Sequence, residues 1–182
     1  MTIQAWGPGQ PGSTGIASQG TTGGGGGGYA TATVEVNSTV PFEVVVALGT
    51  TNLFGDTATT VSLPTGSTFS MIADRSPIQA TPGTGTIVPG TPVSILYQFT
   101  ASGQTGGDAG IGPATSLNKG GDGGSAPLAG GGGYGAAGIG NITNRAGLAG
   151  LVPGGGGGGS VGVPATPATG GNGLVIFEYN YG

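Results

Sequence analysis

Gly23-Gly24-Gly25-Gly26-Gly27-Gly28 and its counterpart Gly154-Gly155-Gly156-Gly157-Gly158-Gly159 decide how this chain can fold. Six consecutive glycines have no propensity of their own for a helix or an ordinary strand. The 182 residues include 46 Gly, and each ordered glycine costs roughly 0.5–1 kcal/mol relative to alanine, so folding must return a dense backbone network. An extended left-handed helix with three residues per turn and about 3.1 Å rise turns every N–H and C=O outward, towards neighbours of the same kind. Without Cβ atoms those neighbours approach closely enough for N–H···O and Cα–H···O contacts on all sides. Each run would span about 19 Å at that rise. Their equal length predicts that both cross the same layer of a polyglycine bundle, and both are structural candidates for that reason.

Outward from the first run, the flanks read as strands. Thr2-Ile-Gln-Ala-Trp6 alternates and ends at the breaker Gly7-Pro8-Gly9. Tyr29 to Val36 sets Thr31, Thr33 and Glu35 against Ala32, Val34 and Val36, a strand with one polar and one buried face. Asn37-Ser38-Thr39 reads as a turn into Phe42 to Leu48, which predicts an antiparallel hairpin. Thr59 to Leu63, Thr68 to Ile72 and Val93 to Phe99 are further strand candidates between Pro and Gly turns. Glycine dominates from Gly103 to Gly173, after which Leu174-Val-Ile-Phe-Glu-Tyr-Asn-Tyr181 is rich in β-branched and aromatic residues. The expected fold is therefore all-β: a β-sandwich or jelly-roll-like lobe with a polyglycine-helix lobe. Residues 1–102 and 174–182 form the β lobe, 20–28 contribute to the bundle, and 103–173 form the glycine-rich lobe. Ile3 to Trp6 and Leu174 to Tyr179 are expected to be near neighbours, because short terminal strands are otherwise unpaired edges.

Collagen fails on phase. Gly120/Gly123, Gly135/Gly138 and Gly147/Gly150 keep a spacing of three, but Ser125 to Ala129 and Asn141 to Ala146 break it. A silk-like or cell-wall glycine-rich protein would explain the glycines but not the strand patterns at both ends. Hydrophobic residues make up 35% and aromatics 6%, so the core is modest. Net charge is −4 with Arg75, Lys119 and Arg145 the only cations, which leaves no electrostatic footprint for nucleic acid or anionic lipid. No run approaches the roughly 18 apolar residues of a membrane span, and Met1 to Trp6 has no signal-peptide pattern. The chain lacks cysteine, hence disulfide and thiolate chemistry.

Catalysis finds little to work with. His and Cys are absent, which removes the commonest bases, nucleophile pairs and zinc ligands. Asp56, Asp74, Asp108 and Asp122 could meet as an acid and base pair, but isolated aspartates favour turns by bonding their own backbone. Lys119-Gly120 has the wrong order for a phosphate loop. Gly106 to Gly112 and Gly120 to Gly123 are only loosely like calcium-binding nonapeptides, since their acidic positions do not repeat at a fixed interval. Asn37-Ser-Thr39 and Asn141-Ile-Thr143 match a glycosylation sequon by chance. Neither an enzyme nor a cofactor is expected.

The opening strand Ile3-Gln-Ala-Trp6-Gly7, the run Gly23 to Gly28 leading into Tyr29-Ala30, the glycine-rich remainder and the closing Gly170-Gly-Asn-Gly-Leu-Val-Ile-Phe-Glu-Tyr179 together resemble the glycine-rich domain of bacteriophage tail-fibre and other virion proteins. More distantly they resemble the glycine-rich tip adhesins of T-even-like phages. To that pattern this chain adds Asn52 to Ser102, ordinary β sequence. The resemblance implies a structural protein displayed on the virion surface: a receptor-contacting tail-fibre or spike component, or a capsid or tail decoration protein. Its implied partners are other virion proteins, a host-surface receptor and further copies of itself, a trimer by the symmetry common to fibres and spikes. In the tip adhesins the receptor is touched by turns between polyglycine helices. Here that implies Ser116 to Lys119, Tyr134, Ile139 to Arg145 and Val161 to Thr166, with Asn118, Lys119, Tyr134, Asn141, Asn144 and Arg145 as contact candidates. Two other classes compete: an ice-binding protein built on a glycine-helix bundle, and a cell-surface matrix or filament subunit.

Overall fold

A computed structural model describes residues 1–14, 20–36, 41–52, 58–64, 67–110, 117–139, 145–162 and 166–179. The described residues hold strands and no helix: β1 (Thr2–Trp6), β2 (Tyr29–Val36), β3 (Glu43–Val45), β4 (Ala58–Ser62), β5 (Ser70–Asp74), β6 (Gly85–Val88), β7 (Val93–Ala101), β8 (Leu117–Lys119), β9 (Ala137–Ile139) and β10 (Leu174–Glu178). Two four-stranded antiparallel sheets, ordered β10-β1-β2-β7 and β3-β4-β5-β6, carry the apolar sequence, and β8 with β9 forms a two-stranded ladder. The two ends of the chain do meet: β1 lies between β10 and β2, with Ile3 opposite Phe177 on one side and Ala32 on the other.

Alternation sets which face is buried. Ile3, Ala30, Ala32 and Val34 of the first sheet pack against Val61, Leu63, Phe69 and Met71 from the second, with Val93 closing the cluster. Thr31 and Thr33 stand on the opposite face, as their period-two spacing requires. Phe42 packs edge-on to Phe69 (ring centroids 6.0 Å apart) and lies beside Phe177 (5.8 Å). The expected hairpin between Tyr29–Val36 and Phe42 to Leu48 does not form. After β2 the chain crosses to the other sheet, where β3 pairs with β4, Val44 opposite Val61. The intervening 37–39 turn lies outside the described residues. The second sheet is a plain meander, so its connectivity is not that of a jelly roll's Greek keys.

The glycine-rich segments bond to one another through the backbone, and bonds to a given neighbour recur every third residue. Gly7, Gln10 and Ser13 donate to Gly28, Gly25 and Thr22 at 2.9, 2.9 and 3.0 Å; Gly24 and Gly27 donate to Gly157 and Gly154 at 2.8 and 2.7 Å; Gly23 and Gly26 donate to Gly107 and Gln104 at 3.0 and 2.9 Å. The two six-glycine runs are thus antiparallel neighbours. Residues 155–162 are enclosed on every side. They bond to 20–28 as above, to 7–14 (Gly157 N to Gln10 O, 2.8 Å), to 117–126 (Gly156 N to Gly124 O, 2.8 Å), to 131–139 (Gly133 N to Gly156 O, 2.8 Å), to 145–151 (Gly158 N to Leu148 O, 2.9 Å) and to 166–173 (Gly171 N to Gly155 O, 2.7 Å). A Cβ at Gly156 would lie 2.1 Å from Gly24 O, and one at Gly158 the same distance from Tyr134 O. An enclosed segment must therefore be glycine throughout. The outer segment 145–151 has glycine only at 147 and 150, where a Cβ would stand 2.3 Å from Gly158 O and 1.9 Å from Gly155 O.

Candidate functional site

The stacked segments have two ends. One joins the sheets: Gly28 N donates to Asp74 O (2.9 Å), Gly173 N to Ala47 O (2.9 Å), and Trp6 Nε1 to Pro127 O (2.8 Å). The other is marked by the bridges Gly20 to Val161, Arg145 to Val161 and Gly110 to Lys119, and by the β8 and β9 ladder. At this far end the described chain stops and resumes at 14/20, 110/117, 139/145 and 162/166. Asn141 and Asn144, and the proposed contacts at 116 and 163–165, lie outside the described residues.

Lys119 and Arg145 both sit at the far end. Lys119 Nζ pairs with Asp122 Oδ2 at 2.9 Å, both side chains about half exposed, and Asp122 Oδ1 also accepts from Gly135 N at 2.8 Å. That backbone bond first, and then the bond from Lys119, holds the Asp122 carboxyl below its ordinary range. Arg145 is exposed while its backbone exchanges two 2.9 Å bonds with Val161. Tyr134 is 71% exposed, but it belongs to the extended segment 131–139 and not to a turn: its carbonyl accepts from Leu148 N at 2.9 Å. It projects from the flank of the stack. Asn118 is the correction among the candidates. It is 0% exposed and presents nothing to a receptor, because it shares an inward row with Gly121 and Gly124 at spacing three, while Lys119, Asp122 and Ser125 occupy the outward row. Val161, also placed among the contact turns, is fully buried.

The buried polar side chains are the residues that sequence reasoning missed. Gln10 Nε2 donates to Ser76 O and, at 2.6 Å, to Ile78 O, while its Oε1 accepts from Gly25 N at 2.8 Å. One amide therefore ties the first glycine run to the loop after β5. Thr21 Oγ1 donates to Ser13 O (2.8 Å) and accepts from Ser160 N (2.9 Å), and Ser160 Oγ donates to Ser13 O (3.0 Å). Arg75, 1% exposed, is a cation of the interior, with Nη1 3.3 Å from Thr50 Oγ1. A polar residue flanked by Gly-x-x-Gly spacing is the signal that would have found the first two.

Among the described residues no group of three or more carboxylates could hold a metal ion, and no helix is long and apolar enough to cross a membrane. Asp74 bonds the Thr84 backbone N at 2.6 Å, and Asp122 is engaged by Gly135 and Lys119. Asp56 lies outside the described residues. No protein-family model, curated protein or solved structure matches this chain.

Proposed function

We propose that the chain is a structural protein displayed on the surface of a bacteriophage virion, either a receptor-contacting fibre or spike component or a decoration protein of capsid or tail. In this reading a β-sandwich carries a bundle of polyglycine helices, and the molecule is a homo-oligomer, a trimer by the symmetry of fibres and spikes. Other virion proteins and a host-surface receptor are its partners, and no catalytic step is involved. The observation that carries the reading is the enclosure of residues 155–162 by six other segments, with backbone bonds recurring at the three-residue period of a polyglycine helix. Among the described glycines of the two runs only Gly154 has positive φ, which agrees with a left-handed extended backbone for the rest. Such a stack is a rigid base that leaves side chains for its free end, where Lys119 and Arg145 stand. The resemblance of the flanking strands to virion proteins supplies the setting.

Ice binding draws less support. Thr2, Thr31 and Thr33 do line one sheet face, but Thr2 and Thr33 hydroxyls bond each other at 3.1 Å and Thr31 Oγ1 donates to Ile3 O at 3.0 Å, which commits them within the molecule. The test is adsorption to host cells of particles bearing Arg145→Ala or Tyr134→Ala. A several-fold loss with either supports receptor contact. Unchanged adsorption with both replaced removes that assignment and leaves decoration, and absence of the chain from purified particles overturns the virion reading altogether.

A further inference from the structure

We propose that the flank formed by residues 131–137 and 145–152 is a homotypic interface, covered in solution by the same flank of another copy of this chain. The inference rests on reading the glycine segments as a packed, rigid stack and goes beyond it by naming what covers one side. Segment 145–151 turns Gly147 and Gly150 inward, so two rows face out: Arg145, Leu148 and Leu151, and Ala146, Ala149 and Val152. Next to them runs the outward row Gly131, Tyr134 and Ala137, joined to the first by Leu148 N to Tyr134 O and Leu151 N to Gly131 O, both 2.9 Å. Leu128, in the turn before Gly131, extends the same surface. Leu128, Tyr134, Leu148, Leu151 and Val152 are each at least 58% exposed.

The other outer segments provide an internal comparison. At the same spacing of three they turn Ser102, Thr105 and Asp108, Lys119, Asp122 and Ser125, and Thr166, Thr169 and Asn172 outward. A hydroxyl or a charge is therefore compatible with an outward position of this fold, and nothing within one chain requires leucine at 148 or 151. Only this flank is apolar. Five such side chains offer on the order of 500 Å2, more than the few hundred Å2 that monomers usually leave bare and approaching the ~800 Å2 per partner of a standard interface.

Charge selects the occupant. In residues 1–102 and 174–182, Glu35, Glu43, Asp56, Asp74 and Glu178 stand against Arg75 alone, five against one, which accounts for the whole net charge of −4. In 103–173, Asp108 and Asp122 balance Lys119 and Arg145, two against two. Two copies meeting through their sheets would oppose like charges, whereas through the flank they meet neutral. The side chains at Leu148 and Leu151 repeat every three residues, about 9 Å apart in an extended helix, so ridges of this kind from two copies interdigitate.

The experiment compares wild type with Leu148→Thr/Leu151→Thr by sedimentation velocity between about 1 and 100 μM, alongside melting temperature. Because the chain has no cysteine, Ala149→Cys and Thr169→Cys serve as single-thiol traps on the apolar and the polar side. Wild type should associate, the double variant should associate at least 100-fold more weakly with an unchanged melt, and Ala149→Cys should give a disulfide-linked pair under mild oxidation where Thr169→Cys does not. A monomeric wild type at 100 μM, undiminished association of the double variant, or equal trapping at both positions would overturn the interface. Amide exchange of Gly155 to Gly159 in the same samples keeps the two claims apart. Slow exchange in a monomer rejects the interface alone; fast exchange rejects the packed stack and the interface with it.

Discussion

One methyl group separates the positions where this fold accepts a side chain from those where it does not. A Cβ on Gly156 would meet Gly24 O at 2.1 Å and its carbon at 2.6 Å, whereas on Gly131 the nearest atom is Leu151 Cδ1 at 3.6 Å. Gly156→Ala is therefore expected to cost more than about 4 kcal/mol or to prevent folding, because backbone has no alternative rotamer to yield with. Gly131→Ala should be neutral or stabilise by up to about 1 kcal/mol, through the reduced freedom of the unfolded chain. Urea denaturation of the pair checks this, and equal effects would remove close packing as the reason for glycine. Gln10→Ala strips partners from the Ser76 and Ile78 carbonyls and from Gly25 N, with an expected loss of about 2–4 kcal/mol in the same assay. Asp122 makes stability depend on acid. Its lowered carboxyl value means that ionisation favours the folded chain above the ordinary carboxylate range, and this contribution is lost as pH falls through the lowered value. Asp122→Asn keeps an oxygen for Gly135 N but does not titrate, so its melting temperature should fall less than wild type's between about pH 5 and about pH 2. With the side chain 46% exposed, screening by water keeps the difference to a degree or so. Residue identity alone made Lys119, Tyr134 and Arg145 legible as exposed side chains but misplaced Asn118. Burial in a glycine stack is set by phase modulo three, and Gly121 and Gly124 carry that phase.

At the scale of elements, sequence was most legible where side-chain alternation meets a buried face. The pattern of Tyr29–Val36 fixed which residues of β2 point inward, and the unpaired-edge argument placed β10 beside β1. Partner choice was not legible in the same way. A turn followed by a second apolar run reads as a hairpin, yet β3 lies in the other sheet, because alternation encodes a face and says nothing of which strand lies alongside. β6 was overlooked since Gly85-Thr-Ile-Val88 is short and opens on glycine, and β8 and β9 are three-residue ladders inside glycine-rich sequence. The contact between sheet and stack depends on one side chain that sequence reading left in its strand. Trp6 lies over Tyr29 (ring centroids 4.8 Å apart), packs with Ala126 and bonds the carbonyl of Pro127. Trp6→Phe keeps a ring there but loses the donor, with an expected cost of about 1 kcal/mol and faster amide exchange at Ala126 than at Ile3. Exchange that rises equally at both positions would mean that the indole N–H does not hold the turn.

For the whole molecule, the balance of forces differs from that of an ordinary domain of this length. The apolar cluster is confined to the inner faces of the two sheets and a small satellite around Trp6 and Tyr29, while the stacked segments bury mainly peptide groups against peptide groups. Exposing apolar surface raises the heat capacity and exposing polar surface lowers it, so the two halves act in opposite directions on unfolding. The heat-capacity change should consequently fall well below the usual 12–15 cal/mol/K per residue, giving a flat stability curve. The halves are also tied at several points: Gly7 N to Gly28 O, Gly28 N to Asp74 O, Gly83 N to Gly26 O and Gly173 N to Ala47 O, all within 2.9 Å. Because the strands enter and leave the stack at these junctions, neither half can lose its hydrogen bonds without freeing the ends of the other. Differential scanning calorimetry is expected to show one transition, with calorimetric and van't Hoff enthalpies equal per cooperative unit. Two resolved transitions, or a heat-capacity change of ordinary size, would show that the glycine segments contribute little to the cooperative fold and that the sheets stand without them.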